Sequence, residues 1–133
     1  MSWDIFVQDI PASATSVDDI PDDFIPGPIG TQAAILDAIR SVLPFADLSD
    51  PSWIRAHSDA IDLEISLREA DPVKSFAFHV RAGEHSIGAI AEILTRLRLR
   101  ALDPGAQSGI FDPSMSVESL TRWQAYRDRV VTG

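Results

Sequence analysis

The stretch that most restricts the fold is residues 74–102, KSFAFHVRAGEHSIGAIAEILTRLRLRAL. Phe76, Phe78 and Val80 fall two apart, which places them on one face of a strand, with Ala77, His79 and Arg81 on the other. Gly83 offers a break. Ile87, Ile90, Ala91, Leu94 and Leu97 then recur at spacings of three and four, the apolar stripe of a helix with one buried side. A helix of about 13 residues is ~20 Å long, comparable with a strand, so it can roof the sheet that the strand belongs to. Arg96, Arg98 and Arg100 are expected in its last turn, where the helix dipole is negative. Gly88 interrupts the pattern, and close packing against the sheet is the expected reason.

The remaining segments can be arranged around that unit. Trp3, Ile5 and Val7 alternate with Asp4, Phe6 and Gln8, which predicts a strand that Pro11 ends; Phe6 and Ile10 on its second face predict cover on both sides over part of its length. Residues 11–30, with four prolines and four aspartates, read as a long loop held down by Ile20, Phe24 and Ile25. Residues 31–43 form a helix with Ile35, Leu36, Ile39, Val42 and Leu43 on its stripe, Thr31 capping it and Pro44 ending it. Residues 52–58 and 60–69 follow as strands; Ile61, Leu63, Ile65 and Leu67 alternate with Asp62, Glu64, Ser66 and Arg68. Short joints make these and the Phe76 strand an antiparallel meander. Residues 101–104 and 109–113 suggest an edge hairpin, and residues 116–131 a last helix packed through Val117, Leu120 and Trp123. The predicted fold is α+β, one domain spanning residues 1–133. It has a mainly antiparallel sheet of four or five strands with helices on one face, in the order β-α-β-β-β-α-(β-β)-α.

A chain of 133 residues matches one core. It has no run approaching the ~20 apolar residues of a membrane span, no secretion-signal pattern at its start, and no cysteine. Disulfides and thiolate metal sites are thereby excluded, and a cytoplasmic setting is expected. The net charge is −9, of which residues 1–39 hold seven aspartates and no Lys or Arg. The rest of the chain has thirteen acids against eleven bases. Scattered cations on an acidic chain make a poor binder of nucleic acid or of acidic lipid, whereas a basic protein partner suits it. The oligomeric state is not legible in these features.

Motifs for known chemistries are sparse. His79 and His85 are six apart and do not match the helical zinc spacing; His57 with Asp59 is a metal pair only by proximity. Gly27 to Thr31 lacks the lysine of a phosphate loop. Asp18, Asp19, Asp22 and Asp23 lack the spacing of a calcium loop, so no metal or cofactor is expected. No serine lies in a Gly-x-Ser-x-Gly elbow, and there is no catalytic residue to name from motif. Trp123 and Tyr126 with Arg122, Arg127 and Arg129 read as one face of the docked last helix, or as a surface for single-stranded nucleic acid or a protein.

The opening Ser2-Trp3-Asp4-Ile5-Phe6-Val7-Gln8-Asp9-Ile10-Pro11, with Phe76 to Arg81 and Ala101 to Pro104, resembles a family of small uncharacterised bacterial proteins. That likeness carries no activity. In style alone, as a small acidic cysteine-free α+β domain, the chain is also similar to immunity proteins that cover basic toxin surfaces. The leading expectation is a non-enzymatic protein-binding domain, an inhibitor of the immunity type, that uses Asp18, Asp19, Asp22 and Asp23. The alternative is a small enzyme or ligand binder with a pocket near His79 and Arg81, which a cavity there and a carboxylate within reach of His79 would favour.

Overall fold

A computed structural model describes residues 3–67, 71–82 and 85–112. The alternation read in the sequence becomes five strands: β1 (Trp3–Gln8), β2 (Ile54–His57), β3 (Asp62–Leu67), β4 (Ser75–Ala82) and β5 (Arg100–Leu102). Two helices, α1 (Gln32–Val42) and α2 (Ser86–Leu97), separate β1 from β2 and β4 from β5. The sheet order is β2-β3-β4-β1-β5, and every neighbouring pair is antiparallel. The α+β class, the meander β2-β3-β4 and the one-sided helical cover all match expectation. The expected last helix lies outside the described residues.

The register decides what each face carries. Ile54, Ile65, Phe78 and Ile5 stand opposite one another across four strands, and none has measurable exposure. Trp3, Val7, Leu63, Leu67, Phe76 and Val80 extend that inner face, and Ile35 and Ile39 of α1 with Ile87, Ile90 and Ile93 of α2 close over it. Phe76 and Phe78 meet edge to side, their centroids 5.4 Å apart, a preferred geometry for aromatic pairs. No helix covers the other face among the described residues.

The strands β4 and β5 run parallel, with β1 lodged between them, so α2 completes a split crossover around the first strand. A long-range bond pins this arrangement: Trp3 Nε1 donates to Oδ1 of the fully buried Asp103 at 2.9 Å. Both sheet edges are capped. Asp47 bridges to Arg55 outside β2, and Ile110 bridges to Leu102 outside β5, which occupies backbone groups that an open edge would offer to another chain. The 101–113 hairpin is thus reduced to a three-residue strand and a single bridge.

Several local expectations need correction. Arg100 is not in the last turn of α2; it lies in β5 and donates to the carbonyls of Pro11 and Ala14, tying down the loop after β1. Ile25 does not hold that loop, being 86% exposed, whereas Ile20 packs on the small cluster of Ile10, Ala14 and Ile110. Phe6 is 40% exposed rather than covered. Gly88 faces open space with nothing near a would-be Cβ, so tight packing does not explain it. The backbone turns out of α2 at Arg98, a left-handed residue with φ 55°, where the chain would favour glycine.

Two substitutions follow from those positions. Gly88→Ala should raise unfolding free energy by up to about 1 kcal/mol through helix propensity, and Arg98→Gly by about 1 kcal/mol by relieving the left-handed conformation. Urea unfolding followed by circular dichroism measures both, and a destabilised Gly88→Ala protein would contradict the open environment of that glycine.

Candidate functional site

On the face opposite the helices, the row next to the buried Ile54-Ile65-Phe78-Ile5 row must be its polar counterpart, because successive side chains alternate between faces. It reads Arg55, Glu64, His79, Asp4 across β2, β3, β4 and β1. His79 therefore faces Asp4 directly on one flank, with Ser66 one step along β3 on the other. The contacts are short: His79 Nδ1 to Asp4 Oδ1 is 2.9 Å, and His79 Nε2 to Ser66 Oγ is 2.9 Å. A carboxylate only accepts, so Nδ1 carries the proton, and in the neutral ring Nε2 then accepts from the Ser66 hydroxyl. Trp53, just before β2, stacks on the imidazole at 5.2 Å with a 20° tilt. The ring is thus fixed by both nitrogens and one face.

Beside it, Arg81 Nη2 donates to Glu64 Oε2 at 3.2 Å, and its Nε lies at an ion-pair distance of 3.2 Å from Oε1. Glu64 is only 7% exposed, a low value for a carboxylate that the charge-assisted bond to Arg81 makes tolerable. The Glu64 hydrogen bond and charge raise Arg81 above its ordinary value. Loss of the arginine's proton therefore falls far above neutrality, so the guanidinium stays charged through the physiological range.

The next row, Ser66, Ala77, Phe6 and Leu102, is low in the middle because serine and alanine are small. The result is a recess of about 330 Å³, lined by Ser66, Ser75 and Ala77 with Phe6, Gln8, His79 and Leu102 around them. Ligand pockets start at about 300 Å³, so the space suits a small molecule. The hydroxyl of Ser66 and the ring of His79 both border it.

The acids of the loop are placed differently. Ser16 and Asp19 form a capping box on the single 3-10 turn Val17–Asp19. Asp19 Oδ2 accepts from the amide and hydroxyl of Thr15 and from the amide of Ser16. These bonds hold its carboxyl below the ordinary aspartate range, the Thr15 amide first among them. Asp18, Asp22 and Asp23 are exposed on the same loop. The four acids predicted as one binding group thus divide into one local structural residue and three surface charges. His57 Nδ1 lies 2.7 Å from Asp62 Oδ1, so its near carboxylate is Asp62 and not Asp59. Among the described residues, no group of three His, Cys, Asp or Glu is placed to hold a metal ion, and no helix is long and apolar enough to cross a membrane.

Of the six predicted site residues, His79 and Arg81 share one face of the sheet, while Asp18, Asp19, Asp22 and Asp23 lie on the loop after β1. Asp4, Glu64, Ser66 and Trp53 were missed as partners. The first three were visible as polar residues in strand phase, but only the register joins them to His79. Comparison of the chain with known protein families, with curated proteins and with solved structures returns no match.

A lowered carboxyl pKa means that the folded state binds fewer protons than the unfolded one. The contribution of Asp19 is therefore present above the ordinary value of about 3.9 and fades as the pH falls below it. Asp19→Asn should shrink the difference between urea midpoints measured at about pH 7 and about pH 3. An unaltered difference would show that the capping box carries no proton linkage.

Proposed function

We propose that the chain binds a small ligand in the recess beside His79 on the sheet face opposite α1 and α2. One observation carries this reading: an imidazole fixed by Asp4 at 2.9 Å and stacked on Trp53 borders a recess of about 330 Å³. A purely structural histidine needs no adjoining space. The walls combine apolar surface from Phe6, Ala77 and Leu102 with the hydrogen-bonding groups of Gln8, Ser66, Ser75 and His79. That mixture suits a compact, largely apolar molecule with one or two polar atoms. Screening small carbonyl and aromatic fragments by amide NMR tests it. Fragments should shift Ala77 and His79, and Ala77→Phe, which fills the floor, should abolish the shifts while the spectrum stays folded. Fragment shifts that survive Ala77→Phe would place binding elsewhere.

A second reading, a surface for a basic protein partner of the kind an immunity protein covers, is supported by the loop after β1. Ile25 stands 86% exposed close in sequence to the exposed Asp22 and Asp23. An apolar anchor among like charges is a usual composition for steered protein recognition. Changing Asp18, Asp22 and Asp23 together to Asn should slow association with a basic partner by about tenfold or more at low salt. Thermal stability should be nearly unchanged, because Asp19 is left in place. An association rate insensitive to the three charges would remove this reading.

A further inference from the structure

We propose that Ser66 is a nucleophile, activated by His79 and positioned through Asp4, for acyl transfer from small apolar carboxylic esters. The proposal rests on the ligand-binding reading above and assigns its substrate class. Three features carry it. The serine hydroxyl lies 2.9 Å from His79 Nε2, and the opposite ring nitrogen lies 2.9 Å from a carboxylate. A nucleophile, a base within hydrogen-bond reach and a third group orienting the base constitute an activation relay, identified by geometry rather than by motif or chain order. The relay also opens onto space, since Ser66 and His79 line the same recess. The ring is held on both edges and one face, so little reorganisation precedes proton transfer.

The step balances without an external oxidant or reductant. Ser66 Oγ attacks the ester carbonyl carbon as its proton passes to His79 Nε2; the positive charge that develops on the imidazole is stabilised by the Asp4 carboxylate through the Nδ1–H bond, and the carbonyl oxygen becomes the oxyanion of the tetrahedral intermediate. The carbonyl–oxygen bond to the leaving alcohol then breaks, and that oxygen takes the proton from Nε2. Water attacks the acyl group on Ser66 in the same manner, giving a carboxylic acid and restoring the serine hydroxyl. Donors for the transient oxyanion must come from side chains, because the amides of β3 and β4 are committed to the ladder. Gln8 and Ser75 are the wall residues with suitable groups. Side-chain donors, less rigid than paired amides, favour esters with good leaving groups over amides. Phe6, Ala77 and Leu102 favour a short aliphatic or aromatic acyl group.

A fluorophosphonate probe and p-nitrophenyl acetate test the proposal on the full chain. The probe should label the folded protein at Ser66, located by peptide mass mapping, and Ser66→Ala should abolish labelling while circular dichroism stays native. Asp4→Asn, in which the ring is no longer held by a carboxylate, should slow p-nitrophenol release by tenfold or more and shift its pH profile; a merely structural bond would leave that profile in place. His79→Gln should reduce labelling at least as far. Absence of label on Ser66 in the folded wild-type protein, or labelling unaffected by His79→Gln, overturns the assignment. Fragment binding in the recess without labelling would sink the nucleophile alone, whereas loss of both would sink the ligand site as well.

Discussion

Ile54, Ile65, Phe78 and Ile5 form one unbroken apolar row across four strands, and the whole molecule is keyed to it. A slip of one residue in any pairing would turn that strand's buried side chains outward, at a cost of about 1.5 to 3 kcal/mol for each large one. The same geometry dictates the opposite surface. Once the inner row is locked, Arg55, Glu64, His79 and Asp4 must lie together behind it. Core packing thereby does the aligning that the short polar contacts around His79 require, and those contacts need not supply the energy of alignment themselves.

The strand and helix pattern was legible because each element obeys its own period. Phe76, Phe78 and Val80 faced inward as their spacing required, and Thr31 capped α1 through the Ala34 amide as its position implied. What periodicity cannot express is pairing across long intervals. Asp4 and His79 are separated by 75 positions, and nothing local announces that β1 inserts beside β4. Ser66 was hidden for a second reason: motif searches look for a serine on a turn, whereas this one sits in mid-strand. Gly88 and Arg98 escaped because their backbone surroundings, open space in one case and a left-handed exit in the other, leave no mark on hydrophobic spacing.

Charge is organised at two scales in this fold. The aspartates before Arg40 give one region a strongly negative field, yet Asp9 and Asp19 spend theirs locally, on the Gly27 amide and on Thr15 and Ser16. On the sheet Glu64 is paired with Arg81 at contact distance and stands opposite Arg55 in the register, and His79 lies beside Asp4. Loop acids act on approaching molecules over about a Debye length, whereas the sheet pairs act on whatever touches them. Composition alone merges these two populations into a single number.

The placement of β1 also bears on how the chain matures during synthesis. This strand emerges from the ribosome before any of its neighbours, yet it pairs with β4 and β5, and its tryptophan waits for an aspartate 100 positions downstream. Until those residues appear, Trp3, Ile5 and Val7 have no place to hide. Translation must therefore carry this apolar strand unpaired until β4 and β5 follow it. The many aspartates that follow it immediately give the nascent segment like-charge repulsion at the stage when it is most prone to self-association.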